Sequence, residues 1–106
     1  VNADTLKLDN YIKNYAYKIK PVNDKIQNKI NKLINAIDLG DMGEIEQISQ
    51  DIKNLSVSIS ADRLKTLAFR IQLSARRGNQ IEIVELYEKL KQQFKKHIIK
   101  INEVGD

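Results

Sequence analysis

Few residues in this chain could do chemistry. His97 is the single histidine and there is no cysteine, so thiolate chemistry, disulfides and a histidine pair for a metal are excluded. An imidazole near neutral pH can serve as base, nucleophile or phosphoryl acceptor. His97, however, stands three residues after Phe94 and seven after Leu90, a spacing that places it at the flank of an apolar helical stripe. A structural role is therefore expected for it. Glu44 with Glu46 and Glu82 with Glu85 are candidate carboxylate pairs. The inward-facing Glu-x-x-His motifs that build metal sites in helical bundles do not accompany them, so they read as solvated faces. No glycine-rich phosphate loop and no nucleophile elbow occurs. The four tyrosines, Tyr11, Tyr15, Tyr17 and Tyr87, read as core and boundary residues rather than a ligand box. The chain is expected to be no enzyme and to carry no metal or cofactor.

A group of polar side chains is more specific. Gln47, Gln50, Lys53, Asn54 and Val57 recur at helical spacing and fall on one arc opposite an aliphatic stripe. Val57 is the outlier, because an apolar residue on a polar face can mark a partner site. Lys and Arg number 18 against 14 Asp and Glu, a net charge of +4. The densest basic pairs, Arg76-Arg77 and Lys95-Lys96, fall at a helix end and on a solvent face, without interleaved aromatics for base stacking. Nucleic acid is therefore not an expected partner. No apolar run approaches the roughly 20 residues of a membrane span, and no signal-peptide pattern opens the sequence. A cytoplasmic setting without membrane contact is expected, in a segment that a larger protein could contain.

The elements that must position these residues are helical throughout. At 106 residues the chain has the length of one domain. Its apolar fraction of 42% and charged fraction of 30% suit a folded core. A first segment over 1–20 runs from a cap at Asp4 through Leu8, Ile12, Tyr15 and Ile19 and must stop before Pro21. Asn23 can cap a second segment bearing Ile26, Ile30, Leu33 and Ile37 and ending at Gly40. Asp41 and Gly43 introduce a third, with Ile45, Ile48, Ile52, Leu55 and Ile59, which breaks near Ser60. The fourth opens at Ala61-Asp62, carries Leu64, Leu67, Ala68, Ile71 and Ala75, and closes with Arg76-Arg77 and Gly78-Asn79. The fifth extends from about Gln80 to Val104 through Ile83, Leu86, Leu90, Phe94 and Ile101. Narrow apolar stripes joined by short connections predict an all-α, up-and-down antiparallel four-helix bundle over 22–105, with the first segment as an extra N-terminal helix.

The stretch Ser49-Gln50-Asp51-Ile52-Lys53-Asn54-Leu55-Ser56-Val57-Ser58-Ile59-Ser60-Ala61 resembles the signature of histidine phosphotransfer (HPt) domains, approximately A-H-x-L-K-G-x-S-x-x-[IL]-G-A. Ile52, Lys53, Ser56, Ile59 and Ala61 match it. Asp62-Arg63-Leu64, Ala75-Arg76-Arg77-Gly78-Asn79, and Leu86, Leu90 and Phe94 follow in similar order and spacing, so the resemblance covers roughly 23–104. It implies a bundle in which an exposed histidine on one helix exchanges a phosphoryl group with the aspartate of a receiver domain.

Gln50 occupies that histidine's position. A carboxamide nitrogen is not basic and cannot accept a phosphoryl group as imidazole does. The family's glycine four residues later is Asn54, and the glycine before Ala61 is Ser60. Lys53 remains and could meet an acidic receiver pocket. The resemblance thus implies a catalytically inactive HPt-like module that docks a response-regulator receiver or another signalling protein through Gln47, Gln50, Lys53, Asn54 and Val57, without phosphoryl relay. Two alternatives stand beside it. One is a structural or oligomerisation bundle unrelated to phosphorelay, and the other is an HPt domain whose histidine has been replaced by glutamine.

Overall fold

The computed structural model describes residues 9, 10 and 12–105, with side chains described as far as 102. The expected cap at Asp4 and the apolar positions Leu8 and Tyr11 lie outside the described residues. Four α-helices carry the fold: α1 (Lys20–Leu39), α2 (Met42–Ser58), α3 (Asp62–Arg76) and α4 (Gln80–Gly105). Each helix packs on the next, α2 against α3 most extensively, and α1 also touches α4, which gives a helical bundle.

The expected stop before Pro21 is not there. Residues 12–14 are helical, Tyr15–Ile19 form a π-helical turn, and this runs directly into α1. The Lys20 N–H donates to the Tyr15 carbonyl, five residues back instead of four. The reason is steric. Pro21 has no N–H to donate, and in a regular α-helix its ring would press on the carbonyl of the residue four before it. A wider turn immediately upstream accommodates that ring without breaking the rod. Asn23 accordingly caps nothing and lies one turn inside α1, buried at 3% exposure. Tyr17 is also corrected, being 81% exposed and not a core or boundary residue, whereas Tyr87 is buried.

The aliphatic stripes meet as the spacing requires. Ile26, Ile30, Leu33 and Ile37 of α1 join Ile45, Ile48 and Ile52 of α2, Leu64, Ala68, Ile71 and Ala75 of α3, and Ile83, Leu86, Leu90 and Phe94 of α4 in one core. Leu55, Ile59 and Leu67 pack at its edge. Burying each large aliphatic side chain contributes about 1.5–3 kcal/mol. The α2 and α3 interior also holds Ser49, Ser56 and Ser74 at zero exposure. Ser49 and Ser56 donate to the Ile45 and Ile52 carbonyls at 2.7 Å, so these small residues enter the core without an unpaired hydroxyl.

Three helix ends share one geometry. After α1, the Asp41 N–H donates to Ala36 O at 3.1 Å and the Gly40 N–H to Ile37 O at 3.0 Å. After α2, Ala61 donates to Ser56 O at 2.9 Å and Ser60 to Val57 O at 3.1 Å. After α3, Asn79 donates to Ser74 O and Gly78 to Ala75 O, both at 3.0 Å. These are Schellman closures, which need a left-handed residue at the turn. Gly40 (φ 66°) and Gly78 (φ 67°) supply it at no steric cost, and Ser60 (φ 57°) does so as a non-glycine. The following helices are capped by Asp41, whose Oδ1 accepts from the Glu44 N–H at 3.1 Å, and by Asn79, whose Oδ1 accepts from the Glu82 N–H at 3.1 Å.

Candidate functional site

Helix α2 holds every residue of the polar arc, and the structure divides that arc between two flanks. Glu46, Gln50, Lys53 and Val57 follow a 4-3-4 spacing along the side that faces α3. At one end of this row, Glu46 Oε1 accepts from Arg76 Nε of α3 at 2.6 Å. Further along, the Lys53 ammonium sits 5.2 Å from the centre of the Phe69 ring, a cation–π contact. Gln50 lies between these crossings along the helix and is half-buried. Val57 is 54% exposed and Phe69 42% exposed.

The other flank leans toward α1. Gln47 donates to Asp51 Oδ1 at 3.1 Å, and Asp51 Oδ2 receives Lys29 Nζ at 3.0 Å. Asn54 is exposed and lines a shallow groove with Lys25, Lys29 and Lys32 of α1. The structure therefore brings Gln50, Lys53 and Val57 together beside α3, and sets Gln47 and Asn54 around the far shoulder of the helix. The first flank is apolar and cationic at its centre, since Lys53 has no ion-pair partner among the described residues.

Phe69 is the residue that sequence reasoning missed. It follows Ala68 but lies off the stripe formed by Leu64, Ala68, Ile71 and Ala75. An aromatic out of register with its helix's buried face was the signal that could have found it.

His97 is half-buried, as its position on the flank of the α4 stripe implies. Its Nε2 is 3.0 Å from Asn23 Oδ1, and its ring lies against Phe94 with centroids 6.1 Å apart. Burial holds the imidazole below its ordinary value of 6.5. Of the carboxylates, Glu82 is the most engaged. Its Oε1 accepts from the Ser74 hydroxyl at 2.7 Å and from Arg77 at 3.2 Å. The serine bond is the largest influence and lowers it; burial opposes, and the charges of Arg77 and Arg70 add to the lowering, so that it stays below the usual carboxylate value. Among the described residues no group of three or more His, Cys, Asp or Glu could hold a metal ion, and no helix is long and apolar enough to cross a membrane. No protein-family model, no curated protein and no solved structure matches this chain.

Proposed function

We propose that this chain is an HPt-like docking module that has lost its phosphoacceptor and binds a receiver domain, or another signalling protein, by occupancy alone. The observation that carries this reading is the patch beside Gln50, where exposed Val57 and Phe69 flank the Lys53 ammonium. An apolar centre with one unpaired cation suits a partner surface that is acidic around an apolar contact. The backbone supports the resemblance locally. Ser60 takes the left-handed conformation at the position where the family pattern has glycine, and Ile52 and Ser56, two of its matching positions, are fully buried. In this reading the four helices run up and down, the rod before Pro21 is an addition to the bundle, and the setting is the cytoplasm of a signalling cell. With Gln50 beside the patch in place of a phosphoacceptor, the module competes with active phosphotransfer proteins or tethers a receiver to a larger protein.

The test is a binding titration against receiver domains in the presence of a labelled phosphoryl donor. Lys53→Ala, Val57→Glu and Phe69→Ala should each weaken binding by roughly tenfold, about 1.4 kcal/mol, with no label on the chain. Label transferred to the protein would contradict the loss of the acceptor.

One set of contacts favours the second reading, a bundle used for oligomerisation. Leu39 (82% exposed), Ile81 (76%) and Val84 (45%) sit near the end where Gln80 Nε2 donates to Ile37 O at 3.0 Å. If that apolar end joins two copies, sedimentation will report a dimer that Leu39→Glu and Ile81→Glu dissociate.

A further inference from the structure

At the turn from α2 to α3 a cavity of about 370 Å³ opens between the start of α3 and the later turns of α4. Its charged lining comes from both helices. Arg63 stands in the first turn of α3, and Lys96 and Lys100, four residues apart, project from α4. None of these cations has an ion-pair partner among the described residues. The one carboxylate on the rim, Asp62, is 83% exposed and lies 3.9 Å from Lys65 Nζ.

Between the cations, His97 and Gln93 add uncharged hydrogen-bonding groups to the wall. Behind His97, buried Asn23 contacts its Nε2 through Oδ1 and leaves its own Nδ2 without a partner among the described residues. Asn23 does not itself line the cavity, but its contact with Nε2 holds the His97 ring in place at the wall. The start of α3 adds to the positive field. Its N-cap, Ala61, has no side-chain oxygen to accept from the first-turn N–H groups.

We propose that this cavity binds a phosphate group, free or as a phosphate monoester. Arg63 supplies a planar fork for two phosphate oxygens, Lys96 and Lys100 neutralise the second charge, and the Gln93 carboxamide N–H contributes a hydrogen bond from the wall. Three cations around one concavity exceed what a single carboxylate requires. Their grouping at one end of the bundle, with no Phe, Tyr or Trp ring in the lining, does not suit a nucleic-acid strand. The site is separate from the Gln50 patch, so either assignment can fail without the other.

The chain's single histidine makes the test direct, because its two imidazole C–H signals belong to one residue. Inorganic phosphate and phenyl phosphate are titrated into the whole chain at constant ionic strength, with chloride as the balancing anion. The expected result is a saturable shift of the His97 signals, about tenfold weaker in affinity for Arg63→Ala and for the Lys96→Ala, Lys100→Ala pair. Lys91→Ala, on the same helix but away from the cavity, should titrate as the parent does. Tighter binding of phenyl phosphate assigns a monoester as the ligand, and equal or weaker binding assigns free phosphate. A shift no larger than chloride produces, or exposed-site variants that titrate like the parent while their circular dichroism is unchanged, would overturn the proposal.

Discussion

Replacing Ser60 by glycine should stabilise this protein, and the three matching helix ends allow the effect to be worked out in advance. A side chain in the left-handed region costs about 1–2 kcal/mol. Glycine removes that cost and returns about 0.5–1 kcal/mol through the greater freedom of the unfolded chain. The net gain is about 0.5–1 kcal/mol. For a domain of this size it corresponds to a rise of roughly 2–6 °C in Tm. The reverse substitution has a clean control, since a Cβ placed on Gly40 or Gly78 would meet nothing within 4 Å. Gly40→Ala and Gly78→Ala should therefore lose about the same amount for backbone reasons alone. Urea unfolding followed by circular dichroism measures all three, with an unchanged m-value showing that the surface exposed on unfolding is the same in each. A loss of stability in Ser60→Gly would refute the reasoning, and would mean that the serine hydroxyl or the turn's own preferences outweigh the left-handed strain.

Ile52→Ala removes a side chain with zero exposure from the α2 stripe and should cost about 2–5 kcal/mol in the same assay. Arg76→Ala breaks a contact between partly exposed groups, 56% and 33% accessible, so its cost should stay below about 1 kcal/mol and shrink with added salt. Because burial lowers the folded-state value for His97, the unfolded chain binds more protons below 6.5. Stability should fall as pH drops from 6.5 through the folded-state value, and His97→Gln should flatten that part of the pH profile. Glu82 has the same sign in a lower window. Its carboxylate is favoured in the folded state, so its contribution is present above 4.5 and lost as pH falls through the lowered value, a dependence that Glu82→Gln removes.

The bundle was legible because its signals are local and agree with one another. Stripes such as Ile45, Ile48 and Ile52 announce a buried face by spacing alone, and Gly40 and Gly78 mark ends that only a left-handed residue can close. Pro21 was misjudged because its rule describes a regular α-helix, whereas the chain inserts a π turn ahead of it. Asn23 looked like a cap for the same reason. Its burial against His97 joins residues 74 apart, a pairing that no short-range pattern encodes. All five residues of the polar arc lie on α2, but spacing within that helix does not say which neighbour lies on either side. Lys53 against Phe69 and Asp51 against Lys29 are tertiary contacts, and they divide the arc.

The most direct test of the docking account is chemical-shift mapping of the isotope-labelled chain during titration with a receiver domain. The account predicts that the largest changes fall on Gln50, Lys53, Val57 and Phe69, and that Val57→Glu moves them to roughly tenfold higher receiver concentration. Binding that instead perturbs Leu39, Ile81 and Val84, or binding that survives Val57→Glu unchanged, would contradict it.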